Sequence, residues 1–288
     1  LARFSENGVR TSIVAADQEF LYRPYPIWHS DQSILAACYL ADSLGLSSIH
    51  VGSVLDAFRF GGYLGDEQPG SWRFNARATV KGQELFRTVG LERGAPVLGC
   101  TEVGTVIIVN SSPYRGLTTS CYYPSPEPFC MRCDKCFKKL LLMYVVEDRT
   151  VPSELFERFI SQPALAGIFA RPYFDWHHVW YYLFQRIRCR HWYARELHRQ
   201  AAQGPDVSVL AKWYPGDRKW IPENCRAEVE ENIGRHLETM TAAEVEYLEH
   251  LDVPPLYAPK GPPSARNVRS GSAARPAARA RERRRGRS

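Results

Sequence analysis

Four cysteines gathered within sixteen residues constrain this chain more than any other feature. Cys121, Cys130, Cys133 and Cys136 are spaced C-x8-C-x2-C-x2-C, and Phe137, Lys138 and Lys139 follow directly. A tetrahedral zinc with Zn–S bonds of ~2.3 Å needs its sulfurs under roughly 4 Å apart. A continuous helix from Cys130 to Cys136 would rise about 9 Å, too far for both to reach one ion. The spacing therefore predicts a tight turn at Cys130 and Cys133, with a helix that begins near Cys133 and brings Cys136 back to the metal. Pro124, Pro126 and Pro128 hold the intervening loop out of a helix, free to fold Cys121 over the same point. Four thiolates on one divalent ion leave a charge near −2, which Arg132, Lys135, Lys138 and Lys139 are expected to offset. A closed, structural Zn2+ site is the first expectation. An iron–sulfur cluster and free or redox-active thiols are the alternatives, although a bacterial ferredoxin run would want cysteine where Leu140 stands. Structural disulfides are disfavoured in a chain without a secretory leader. Cys38, on the apolar face of a helix, and the isolated Cys100, Cys189 and Cys225 read as small core residues.

The net charge of +6 belongs to the C-terminus. Residues 264–288 carry nine arginines against one glutamate, which leaves 28 basic and 30 acidic groups on residues 1–263. This tail has almost no large apolar residue, so it cannot offset the entropy of ordering and is expected to be disordered. It could grip RNA phosphates, or serve only as a solvated terminus, since no aromatic residue interleaves the arginines to stack on bases. The longest strictly apolar run, residues 140–146, falls far short of the roughly 18 residues that cross a bilayer, and no basic-then-apolar leader precedes Ile13. A soluble cytoplasmic protein with no membrane partner is expected.

Three zones are expected: an α/β domain over 1–148, a helical extension over 149–258 and the arginine-rich tail over 259–288. In the first, residues 11–16 (TSIVAA) read as a buried strand ending at Asp17 and Glu19. A helix over 31–44 stops at Gly45, and residues 48–54 (SIHVGSV) read as a second strand, an economical βαβ unit. A weaker helix is expected over 79–89. The β-rich run 105–109 is compatible with strand or helix. In the second zone Trp176, Val179, Trp180, Leu183 and Ile187 fall at helix spacing, as do Val229, Ile233 and Leu237, and Thr241 with Glu244 has the form of a capping box. Residues 213–217 and 220–223 read as turn-rich connectors. Nine aromatics over 173–193, with Arg186, Arg188 and Arg190 among them, suit a helical core better than a base-stacking surface. His177 and His178 are adjacent and make a poor metal pair.

The cysteine segment with its basic helix resembles the zinc-binding segment of the 7-cyano-7-deazaguanine synthases, of the HUP-type PP-loop ATP pyrophosphatase group. The unit before it is similar too: a helix, Gly45, then Ile49-His-Val-Gly52 with Asp56 shortly after. The likeness covers roughly residues 8–140 and is specific in the cysteine segment. It implies an open, mostly parallel α/β sheet carrying a zinc loop, to which this chain adds a helical C-terminal extension. It also implies ATP and Mg2+, with a pocket near Gly52, Ser53 and Asp56, where ligands of open α/β sheets lie. Asp17 and Glu19 are further candidates for metal or substrate. The group's phosphate-cradling Ser-Gly-Gly-x-Asp-Ser loop is absent; the chain opens on Leu1, and that loop is expected upstream of it. Gly61, Gly62 and Gly65 make a flexible turn without a Walker pattern. The synthases' Asn in the Gly52 loop and their Tyr-Pro-Asp-Cys-Arg segment are missing, so the deazapurine substrate is not expected to carry over. The implied chemistry is adenylation of a carboxylate or carbonyl on a small molecule or biopolymer, with release of pyrophosphate and then AMP. The alternative is a non-catalytic, zinc-stabilised binding module for RNA.

Overall fold

Two glycines end a helix and open a strand in the same way. At the end of α1 (Ala41–Leu44), Gly45 takes φ 61°, its N–H bonds the Asp42 carbonyl and the Leu46 N–H bonds the Ala41 carbonyl. Gly90, at φ 74°, repeats the pattern, with its own N–H on Arg87 and that of Leu91 on Phe86. Glycine takes this left-handed position without a Cβ clash. Each device feeds a strand, β1 (Ser48–His50) and β2 (Glu92–Gly94), and the two pair in parallel with Ser48 opposite Glu92 and His50 opposite Gly94. The Val51 N–H makes the last ladder bond, to the Gly94 carbonyl. Residues 52–54 then turn into α2 (Leu55–Arg59), part of the crossover that a parallel pair requires.

The structure, a computed structural model, describes residues 6, 8, 38, 40–60, 84, 86–116, 121, 129–162, 177–254, 256 and 257. The expected strand 11–16, Asp17, Glu19, the Gly61, Gly62 and Gly65 turn, most of the helices at 31–44 and 79–89, the loop 122–128 and the arginine-rich tail lie outside these residues. The expected strand over 48–54 is regular only to His50. The short β2, Glu-Arg-Gly, has no β-branched residue to announce it.

From residue 101 onward the described chain is helical: α3 (Glu102–Ser111), α4 (Asp134–Val146), α5 (Ser153–Ile160), α6 (His177–Arg186), α7 (Trp192–Ala201), α8 (Arg226–Gly234) and α9 (Ala242–Glu249). The ambiguous run 105–109 lies inside α3. Thr101 caps that helix by accepting the Gly104 N–H, and Val103 and Val106 are buried along it, which outweighs their β propensity. Thr241 and Glu244 form the full capping box of α9. The expected connectors 213–217 and 220–223 run into 3-10 turns at Pro215–Trp220 and Glu223–Cys225, and a further 3-10 turn spans Ser208–Ala211.

Phe137, fully buried on α4, is the hub of the core. Its ring lies 4.8 Å from Phe159, 5.4 Å from Phe156 and 5.7 Å from Trp180, drawing α5 and α6 onto α4. The same cluster takes in Leu55, Val103, Leu197 and Leu248, so the two zones divided at residue 148 share one core. By chain contacts Leu1–Ala258 forms one unit and Pro259–Ser288 another. The fold is mixed α/β, mostly helical, with a two-stranded parallel sheet among the described residues. No described helix is long and apolar enough to cross a membrane.

Gly99 is a contact glycine: a Cβ there would overlap the Trp213 indole nitrogen and the Tyr214 carbonyl, and its own carbonyl accepts the Tyr214 N–H. Gly99→Ala is expected to destabilise the chain by about 2–3 kcal/mol in chemical denaturation, because backbone cannot yield as a flexible side chain would.

Candidate metal centre

Cys130 and Cys133 flank a left-handed turn in which Met131 has φ 58°. Cys133 is the N-cap of α4 and its Sγ accepts the Cys136 N–H at 3.4 Å, so the helix starts where the spacing predicts and returns Cys136 to the turn. All four sulfurs, with Cys121, lie within 4.8 Å of one another, and those of Cys130 and Cys136 are 3.7 Å apart. That separation is close to the ~3.8 Å edge of a tetrahedron with 2.3 Å bonds and far from the ~2 Å of a disulfide; the cysteines are free thiols.

The electrostatics of the cluster favour a cation. At Cys130 burial opposes ionisation, but the Arg132 N–H and the neighbouring thiols outweigh it and bring the thiol down to about 6. Burial, and then the neighbouring sulfurs, push Cys136 up. One thiolate suppresses the next, and a divalent cation bound among them lifts that conflict by stabilising all four. The donor set thus fits a metal ion such as zinc, with no fifth protein ligand needed.

Lys138 and Lys139, expected to offset the thiolates, are paired with a carboxylate. Lys138 Nζ lies 2.6 Å from one Glu102 oxygen and Lys139 Nζ 3.3 Å from the other. The backbone N–H of Glu102, at the first position of α3, donates to Asp56 Oδ2, and His178 Nε2 meets Asp56 Oδ1 while Phe60 stacks on the imidazole at 4.1 Å. A carboxylate at a helix N-terminus is favourably placed. On the same helix as Asp56, Arg59 reaches Asp217 at 2.5 Å and lies over the Tyr214 ring, whose hydroxyl donates to Glu249.

Gly52 and Ser53 stand at the carboxyl end of β1, exposed and half-buried respectively. Asp56 follows them but turns inward: it is 1% exposed and both its oxygens are taken. Trp180, Tyr181, Tyr182 and Phe184 are buried and present no stacking face to a nucleobase. Cys100 is fully buried and Cys38 packs on the small sheet core, as expected. The role of His178 was not visible in the pair His177–His178. The available signal was its place between core positions of one helix, where a buried imidazole requires a partner.

The fold and the cysteine cluster define a mixed α/β chain with a closed four-sulfur centre. The chain belongs to a family of unknown function (DUF6395), whose family model matches residues 81–252. That span holds all four cysteines, Glu102, Lys138 and His178; Gly52, Ser53 and Asp56 precede it. No curated protein and no solved structure matches the chain.

Cys133→Ser and Cys136→Ser are each expected to abolish binding of one zinc per chain, read by elemental analysis of purified protein; iron with visible absorbance in the parent would contradict the assignment. A second outcome concerns pH. Burial alone would raise the Glu102 carboxyl, and Lys138 and Lys139 outweigh it, holding it below its ordinary 4.5. A lowered folded value means stability fully present above 4.5 and lost as pH falls through that folded value. Glu102→Gln should therefore cost about 3 kcal/mol at neutral pH. It should also flatten the acid limb of stability against pH.

Proposed function

We propose that the chain belongs to an ATP-dependent adenylating ligase of PP-loop type, acting in the cytoplasm, with zinc as a structural staple in its four-cysteine centre. The observation that carries this reading is the placement of the cysteine helix. It lies in the same packed body as the parallel strand β1, and through Glu102 and Asp56 it braces the turn at the carboxyl end of that strand. Ligands of open parallel sheets bind at such ends. The resemblance of the cysteine segment and of residues 49–56 to the 7-cyano-7-deazaguanine synthases points the same way, and free thiols on a metal suit a reducing compartment.

In the proposed reaction a carboxylate oxygen of the substrate bonds to the α-phosphorus of ATP and pyrophosphate leaves. A nitrogen nucleophile then takes the acyl carbon, AMP departs and the proton passes to solvent. Magnesium would supply charge neutralisation at the phosphates. Gly52 leaves room for close approach at the strand end, where an added Cβ meets nothing within 4 Å. Asp56, with both oxygens bound internally, holds the turn in place.

The test uses the full-length protein with ATP, magnesium chloride, ammonium chloride and a mixture of small carboxylates. Saturable binding of ATP by calorimetry and formation of AMP with pyrophosphate are expected, with binding weakened by about tenfold or more in Gly52→Trp. ADP as product, or no saturable binding up to about millimolar ATP, would overturn the ligase and leave the zinc-stabilised binding module.

A further inference from the structure

Between the cysteine centre and the turn after β1 runs a line of polar and charged groups, most of them buried. Cys133 caps α4 and Cys136 lies in its first turn. Immediately beyond, Lys138 and Lys139 fork onto the two oxygens of Glu102. The N–H of Glu102 donates to Asp56, whose other oxygen meets His178, and Asp56 stands two residues past Val54 at the start of α2. Asp56, Glu102, Lys138 and His178 are all buried. Lys138, Glu102 and Asp56 have little water there to replace a lost partner, so removing the Glu102 carboxylate leaves the buried Lys138 ammonium without it and frees the start of α3, whose N–H holds Asp56. Such a line holds together or gives way as a unit.

We propose that this line couples the cysteine centre to the turn at residues 52–54: Glu102 and Asp56 are positioning residues, and occupation of the centre by metal sets the order of the turn. The inference rests on the reading of the four cysteines as metal ligands. Metal bonds to Cys133 and Cys136 fix the first turn of α4, and that turn fixes where Lys138 and Lys139 present their ammonium groups. Loosening the turn withdraws both cations from Glu102, and the α3 N-terminus that carries the Asp56 bond shifts with it. His178 then remains as the side-chain anchor of Asp56 on α6. Coupling of this kind is reciprocal, so cutting the line at Glu102 must weaken metal binding by the factor with which metal loss loosens the turn.

The experiment follows amide hydrogen exchange of the full chain at residues 52–60, with α7 (Trp192–Ala201) as reference, before and after zinc is withdrawn by a chelator. Zinc affinity is measured in parallel by competition with a chromogenic chelator. Zinc loss is expected to speed exchange at 52–60 by about tenfold or more while α7 stays protected. Glu102→Gln with zinc bound should reproduce the fast exchange and weaken zinc binding by about tenfold. Lys139→Met, which cuts the longer and less buried limb of the fork, should move both readouts in the same direction by less, and it serves if Glu102→Gln does not fold. Exchange at 52–60 that ignores zinc, or variants that bind zinc as tightly as the parent, would overturn the coupling. If zinc withdrawal also releases α7, the whole chain has unfolded and the variants' zinc affinities decide. A parent chain that binds no zinc would overturn the reading of the cysteines and the coupling with it, an outcome that metal analysis separates from the others.

Discussion

A carboxylate sealed away from water has to find its partners inside the protein, and Asp56 finds them on two helices at once. The α3 N-terminus offers a backbone N–H, and α6 offers an imidazole held flat against Phe60. An isolated buried carboxylate would cost several kcal/mol and would rather take up a proton than stay charged. With these two donors it becomes a three-way junction among α2, α3 and α6. Arg59, one turn further along α2, makes a second such junction with Asp217, whose carboxyl is pushed up by burial against the pull of Arg59. A five-residue helix cannot hold itself together in water. Here α2 is held near its two ends by the Asp56–His178 contact and the Arg59–Asp217 ion pair, and with it the turn at the end of β1.

The metal centre and the aromatic core are two faces of one helix. Cys136 turns to the sulfur cluster while Phe137, its neighbour in sequence, enters the ring cluster of Phe156, Phe159 and Trp180. A metal held by the four sulfurs on one side, with close-packed aromatics on the other, would leave α4 little freedom to slide or rotate. Lys138 and Lys139 are therefore delivered to Glu102 by the same helix register that builds the cluster. An insertion between Cys136 and Lys139 would break the pairing even with every residue retained.

What was legible in the sequence is what is local. The cysteine turn, the start of α4 at Cys133, the stop at Gly45 and the capping box at Thr241 each depend on side chains within a few residues, and the structure places them as the spacing implied. The helical identity of residues 105–109 turned on one capping threonine that propensity alone does not weigh. The long-range polar contacts were illegible for another reason. Asp56 and His178 are 122 residues apart, Arg59 and Asp217 are 158 apart, and no periodicity connects them. Lys138 and Lys139 were read as partners of the nearest negative charge in sequence, the thiolates, and the fold also brings them a carboxylate from α3.

Among the described residues the sheet has two parallel strands, and segments outside it hold their carboxyl ends. Ala95, just past β2, donates its N–H to the Trp220 carbonyl, and Gly94 is so close to the Pro222 ring that a Cβ would meet it at 2.5 Å. The segment after α7 thus lies directly against β2 at its carboxyl end. Beyond β1, α2 is tied to α6 through Asp56 and His178 and to the 3-10 turn at Asp217 through Arg59. Both strand ends therefore depend on residues 177–222, and the helical part is not an appendage to a self-sufficient α/β layer. It supplies the bonds that place the carboxyl ends of both strands, the positions from which a parallel sheet offers its backbone to a ligand.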